Sequence, residues 1–367
     1  MATPKLRFNE FNEKWEEKKL GKICQHFKSG KSITSKYITD TGDYPVYGGN
    51  GLRGFTTNFT HDGKFILIGR QGALCGNVQL ASGKNYISEH AIAVQADQKN
   101  STDWLAYWLD NMKLNRFSES SAQPGLAVNK LIKFKIKLPT KAEQTKIATF
   151  LSAVDTKIDE LTQKHELLTD YKKGMMQQIF SQKLRFQADD GSDFEDWEYM
   201  SLHEVLDYEQ PTRYIVKTTD YDDSFKTAVL TAGKSFILGY TNEDNDIFEA
   251  DNKNVIIFDD FTTAYKFVDF PFKVKSSAMK ILQTKSKNYD IFYIYSVFST
   301  INIQKGDEHK RRWISEYSQI EVPIPSLPEQ TKIANFLTAI DQKIDNVAEQ
   351  IDHAKTWKKG LLQQMFV

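Results

Sequence analysis

The sequence predicts an α+β chain: two mixed α/β globular domains separated by two long helices that pair as an antiparallel coiled coil, the whole being a pseudo-twofold internal repeat. Three observations predict it. Residues 138–181 return as residues 324–367, with 20 of 44 aligned positions identical at an offset of 186, so an entire helical element is duplicated. Apolar residues in both copies are spaced three and four apart, the period of a coiled-coil seam. Each copy is preceded by a stretch in which short apolar runs alternate with Gly, Asn and Asp, the pattern of strands and turns. The expected boundaries are a first domain at 1–139, a central helix at 140–181, a second domain at 182–325 and a C-terminal helix at 326–367.

In the second helix the stripe is Ile333, Leu337, Ile340, Ile344, Val347, Ile351 and Ala354; in the first it is Ile147, Leu151, Val154, Ile158, Leu161, His165 and Leu168. His165 is read as a polar interruption that fixes register. Tyr171 and Trp357 then shift the register, and the stripe continues through Met175 and Leu361 towards Ile179 and Met365. Thr140 and Ser326 stand three residues before Glu143 and Glu329, the spacing of a capping box, in which hydroxyl and carboxylate satisfy each other's backbone N–H groups. At about 1.5 Å per residue each helix is a rod of about 60 Å. A compact domain of about 140 residues has a radius of gyration of about 14 Å, too small to return the chain along such a rod. The rods are therefore expected to run antiparallel, with one domain at each end.

The first domain opens on a helix signal at 11–20, followed by the hydroxyl-rich 28–35. A strand then meets four glycines at 43–56, where Asn50-Gly51 fits a turn with positive φ. Residues 64–72 read as a second strand ending in Gly-Arg-Gln-Gly, 85–96 as a third, 102–114 as a helix, and 131–139 as an alternating strand with a row of lysines. The second domain repeats this order with other residues. Leu-Arg-Phe recurs at 184–186, residues 228–241 stand for the glycine-rich hairpin, 254–266 for the second strand, 272–282 for the third and 290–301 for the helix.

Composition narrows the function. No apolar run approaches a membrane span, and the N-terminus is too charged for a secretory signal, which points to a cytoplasmic protein. Cys24 and Cys75 have no metal or redox spacing and read as packed thiols. Formal net charge is zero, yet it divides: residues 1–137 carry +8 (20 basic, 12 acidic) and residues 182–323 carry −8 (17 basic, 25 acidic). Only the first domain is basic in the way phosphate contact favours. Catalytic signatures are missing. The SGKS at 29–32 is a fragment of a phosphate loop, the histidines have no zinc spacing, and no nucleophile elbow or Asn-Pro-Pro-aromatic motif occurs. A spacer carrying two unlike heads suits a split, asymmetric sequence in duplex DNA.

The pattern EQTKIAxFLxxxDxKID…KKGxxQQxF, present twice, together with the order domain, rod, domain, rod, resembles the specificity subunit of type I restriction and modification systems over the full chain. The resemblance implies a non-catalytic subunit whose globular parts are target recognition domains, each reading one half of a bipartite DNA site. It implies two modification subunits that methylate adenine and two motor nuclease subunits as partners. It also implies that S-adenosylmethionine, ATP and Mg belong to those partners, with no cofactor, metal or membrane contact in this chain. Glycine-rich turns and bidentate Arg or Gln suit groove contact, so the DNA-binding candidates in the first domain are Lys31, Ser32, Tyr47, Asn50, Arg53, Arg70, Gln71 and His90. In the second they are Thr231, Lys234, Lys266, Lys273, Lys275, Ser276, Arg311 and Arg312. Glu143, Gln144, Lys146, Glu329, Gln330 and Lys332, repeated at the two helix starts, are the candidate dock for the modification subunits. The competing readings are a coiled-coil adaptor that binds only proteins and a self-contained DNA modification enzyme.

Overall fold

The computed structural model describes residues 4–72, 74–118, 125–231, 235–301 and 312–366; Lys234 and Arg311 lie outside them. The chain forms two compact units, one of Met1–Lys164 with Val347–Val367, the other of His165–Asn346.

In the first unit a four-stranded antiparallel sheet has the order Cys24–Ser29, Ala91–Ala96, Phe65–Gly69, Val78–Ala81. Side chains alternate across a strand, and both faces are covered. Ile66, Ile68, Ile92 and Val94 pack with Trp104, Leu105 and Leu109 of the helix Thr102–Asn111. Phe65, Leu67 and Ala93 meet Ile87 and Tyr47 of a second sheet, ordered Gly51–Thr56, Tyr44–Gly48, Lys84–Ile87, His61–Asp62. A two-stranded ribbon of Glu16–Lys19 and Lys135–Leu138 then delivers the chain to the central helix.

The second unit repeats this architecture with one strand fewer in its smaller sheet. Its larger sheet runs Leu206–Glu209, Met279–Thr284, Val255–Asp259, Tyr265–Val268, and its smaller one Ile237–Thr241, Thr227–Leu230, Phe272–Val274. The ribbon is Glu198–Ser201 with Glu321–Ile324. The helix Ile291–Phe298 takes the place of Thr102–Asn111, and each is capped by the residue before it: Ser101 accepts from Trp104 N, and Asp290 from Phe292 N and Tyr293 N.

The central helix is Lys141–Phe180 and the C-terminal helix Leu327–Met365. In the first unit Ile147, Leu151 and Val154 share a core with Leu361, Leu362, Met365 and Phe366; in the second, Ile179 shares one with Ile333, Leu337 and Ile340. Within each unit the start of one helix therefore meets the end of the other, which is the antiparallel pairing the seams predict. Among the described residues no helix is long and apolar enough to cross a membrane.

Four local expectations need correction. Residues 11–20 form no helix, because Glu16–Lys19 is drawn into the ribbon and Trp15 packs edge-on against Trp104. The strand read at 85–96 is two strands in different sheets, broken at 88–90, where Ser88 N donates to Tyr47 O and Ala91 N to Ser88 O. Only Lys135–Leu138 of the run 131–139 is strand, since Val128–Leu131 closes a helical turn first. Tyr171 and Trp357 lie half-exposed outside the seam. The next residues turn inward instead: Lys172 pairs with Asp341, and Lys358 with Asp155, both at 2.5 Å. These two bridges are equivalent under the repeat, since 172 and 155 plus 186 give 358 and 341.

Candidate nucleic-acid interface

Three segments converge in the first domain: the hairpin turn at 48–51, the residues 70–72 and 74–76 that follow the buried strand Phe65–Gly69, and the turn 88–90. Glycine permits the convergence. A methyl at Gly49 would lie 2.7 Å from His90 O, and one at Gly69 would lie 2.5 Å from Leu74 O. Gly51 and Gly72 adopt φ of +93° and +81°, conformations open to glycine at little cost. Arg70 N donates to His90 O at 2.9 Å, Gly76 N to Gly69 O at 2.8 Å and Leu126 N to Arg70 O at 3.0 Å. These bonds fix a depression of about 470 Å³ lined by Gly49, Asn50, Arg53, Gln71, Leu74 and His90.

Four candidates from the sequence thus meet in one concavity, and Arg70 is tied to its floor by its backbone. Lys31 and Ser32 lie elsewhere. Lys31 N donates to Ile87 O, while the Ser32 carbonyl accepts from Tyr86 Oη at 2.8 Å beside a separate depression. Tyr47 packs against the apolar layer between the sheets and belongs to the core more than to a groove surface.

The second domain corrects several candidates. Lys273 is fully buried, paired with Glu243 at 3.1 Å and donating to Asn245 O at 2.8 Å. It holds the domain together and has no path to a phosphate. Arg312 is likewise buried and paired with Glu316. Lys266, Lys275 and Ser276 are exposed, and Thr231 is half-buried. Lys275 Nζ donates to Tyr221 Oη at 3.2 Å. The equivalent of the loop at 70 is 260–263, and sequence reading passed over it. Asp260 N donates to Ala278 O at 3.1 Å, the counterpart of Arg70 N on His90 O. The signal for it was available, as Asp-Asp-Phe-Thr-Thr between two apolar strands is a turn sequence.

The candidate dock is also corrected. Glu143 and Glu329 are fully buried, Gln144 and Gln330 nearly so, and all four face their own domain. Arg7 donates from Nε and Nη2 to both Glu143 oxygens at 2.7 Å, and this bonding holds the guanidinium above its ordinary pKa. Arg185 does the same to Glu329 at 3.2 and 2.9 Å, and Trp197 Nε1 adds a third bond at 2.9 Å. Gln144 accepts from Ser101 N and donates to Pro139 O; Gln330 accepts from Asp290 N and donates to Pro325 O. Each Glu-Gln pair therefore bolts a helix start to the capping residue of the short helix in its own domain. The capping box is not closed in either copy. Glu143 N reaches Thr140 Oγ1 at 3.4 Å, Ser326 Oγ has no partner, and the carboxylates are committed to arginine. Only Lys146 and Lys332 remain outward, paired with Glu10 and Asp189. The recurrent Leu-Arg-Phe, noted in the sequence but given no role there, was the signal: its arginines are Arg7 and Arg185, and its Phe8 and Phe186 pack against Phe150 and Phe336.

Comparison with known proteins agrees with this duplicated architecture. One family model, described as the type I restriction modification DNA specificity domain, matches residues 12–169 and again 194–355. A 150-residue stretch is 50% identical to the Type I restriction enzyme EcoR124I/EcoR124II specificity subunit of Escherichia coli, covering 38% of this chain and 37% of that one. A 162-residue stretch is 40% identical to the EcoprrI specificity subunit of Escherichia coli, covering 43% and 40%. The chain thus spans about two fifths of the length of these curated relatives in the matched regions. The crystal structure of the type I restriction-modification S subunit from M. genitalium shares the fold, with a TM-score of 0.74 at 19% identity over 100% of this chain and 99% of that one. With both of its repeats matched by one family model, the chain belongs to the type I restriction modification DNA specificity family.

Proposed function

We propose that this chain is the non-catalytic sequence-reading subunit of a type I restriction-modification enzyme. Each globular domain reads one half of a bipartite asymmetric duplex site, and the long helices set the spacing. The observation that carries this reading is the pairing of equivalent loops with different contents. Arg70, Gln71 and His90 in the first domain stand where Asp260, Phe261 and Ala278 stand in the second, on the same strands and with the same backbone bond between loops. A duplicated fold with unlike side chains at one corresponding place is what two different half-sites require.

Two modification subunits and two motor nuclease subunits are the proposed partners, and S-adenosylmethionine, ATP and Mg would act within them. Since the Glu-Gln pairs are spent internally, the dock is assigned to a face that both helices repeat: the exposed Lys173 and Gln177 with Lys359 and Gln363, beside the half-buried Gly174 and Gly360. The negative charge of the second domain favours the adaptor reading. Asp260 pairs with Lys280, Glu243 with Lys273 and Asp246 with Arg213, which ties up these charges locally but, taking one of each sign, leaves the surplus as it was.

The test is to express the chain with its modification subunit and map methylated adenines genome-wide. A split motif with two unlike halves is expected. Methylation by the purified chain alone would favour the enzyme reading, and a chain whose assembly shows no salt-dependent binding to duplex DNA would favour the adaptor.

A further inference from the structure

We propose that Phe261 is the base-contacting residue of the second domain, an apolar side chain that enters the half-site and packs against a base face or a thymine methyl. The inference rests on the DNA-reading function above and adds the chemistry by which the second domain reads.

Phe261 is 58% exposed at the tip of a loop that is otherwise rigidly built. Asp259, buried beneath it, accepts from Phe261 N at 3.0 Å, from Thr262 N at 2.6 Å and from Thr262 Oγ1 at 2.9 Å. Asp260, also buried, pairs with Lys280 at 3.0 Å and accepts from Trp313 N at 3.0 Å. Thr263 is held at φ 58°, a conformation that a β-branched residue adopts only under constraint and that tends to accompany functional loops. Two buried carboxylates and a strained threonine thus hold one large apolar side chain out in water. An isolated exposed apolar residue is ordinary on a protein surface; one fixed in this way is placed for contact.

Position gives the contact its partner. Through the Asp260 N to Ala278 O bond, Phe261 occupies the place that Gln71 has in the first domain. The chemistry also suits a domain with a net charge of −8 (17 basic, 25 acidic residues over 182–323). A domain without a basic surplus gains little from phosphate attraction, whereas apolar wedges and methyl contacts draw on base surface.

The experiment uses the full chain assembled with its modification subunit and a duplex library carrying a randomised segment. Wild type, Phe261→Ala and Phe261→Trp are each put through selection, and binding to the wild-type consensus duplex is then measured. Phe261→Ala is expected to bind that duplex about tenfold more weakly and to lose preference at one or two adjacent positions of one half-site, while Phe261→Trp retains most of the affinity. Fluorescence of 2-aminopurine at those positions separates the two modes: a change seen with wild type and Phe261→Trp but not with Phe261→Ala indicates stacking, and no change in any of the three with the same loss of preference indicates a methyl contact. Unchanged affinity and an unchanged consensus for Phe261→Ala would overturn the inference and leave DNA reading intact. Failure of the wild-type assembly to select any consensus would instead overturn the reading on which it rests. Thermal unfolding of the free variants checks that the exposed position leaves the fold undisturbed.

Discussion

Glu143 and Glu329 have no access to water, and each is tolerated as a charge because an arginine meets both of its oxygens. Removing one partner of such a pair strands the other, at a cost of about 3 kcal/mol. Glu143→Ala and Glu329→Ala are expected to destabilise by about that amount, the second by more because Trp197 Nε1 also loses its acceptor. Urea unfolding measures the loss, and wild-type midpoints would contradict the pairing. His61 offers a second test at this scale. Burial, then His26 and Lys31, lower it from its ordinary 6.5 to about 4. Above the higher value both folded and unfolded chains carry a neutral ring. As pH falls from 6.5 towards 4, the unfolded chain binds a proton that the folded chain refuses, so stability declines through that window. Wild type should lose more stability there than His61→Gln, and parallel pH profiles would rule the histidine out as a cause.

The two long helices are joined by bridges as well as by their seam. Asp155 takes Lys358 at 2.5 Å and Tyr107 Oη at 2.7 Å, and Asp341 takes Lys172 at 2.5 Å. Burial and then the Asp155 carboxylate together push the Tyr107 phenol above its ordinary range. A double-mutant cycle on Asp155→Ala and Lys358→Ala should give a coupling of about 1 kcal/mol, at the upper end for partly exposed pairs. A coupling within error of zero would mean that the seam alone fixes the pairing. Gly174 and Gly360 present the opposite case. An added methyl at either meets no atom within 4 Å, so the glycine is not required by packing and weakens the helix. Gly174→Ala should stabilise the isolated chain by about 0.5–1 kcal/mol, read as a higher melting temperature. If docking uses this face, the same change weakens co-purification with the modification subunit.

At the scale of the whole chain, the duplication predicts that each domain reads its half of the site separately. Exchanging residues 1–137 for the corresponding part of another family member should change one half of the methylated site and leave the other as it was. A change in both halves would contradict independent reading. The charge division, +8 over 1–137 (20 basic, 12 acidic) and −8 over 182–323 (17 basic, 25 acidic), predicts that substitutions on the first domain alter the salt dependence of binding more strongly. Arg53→Ala should shallow the slope of affinity against salt more than Lys266→Ala does if Arg53 meets a phosphate.

Period, repetition and the size of the intervening domain were enough to determine the fold class, the duplication and the antiparallel helices, because a seam spaced three and four apart must be covered and a compact domain cannot return the chain along the full length of a rod. The converging loops were partly legible as well: four of the eight first-domain candidates, Asn50, Arg53, Gln71 and His90, line one depression, since glycine runs mark where backbones approach. Burial was not legible. Lys273, Glu143 and Gln144 are charged or polar and would ordinarily be solvated, yet each lies inside because a partner distant in sequence meets it. Arg7 lies 136 positions from Glu143, and Lys273 lies 30 from Glu243 (273 − 243). A local pattern reports which face of an element is apolar; only the tertiary structure decides which polar groups find partners there, and so which remain free at the surface.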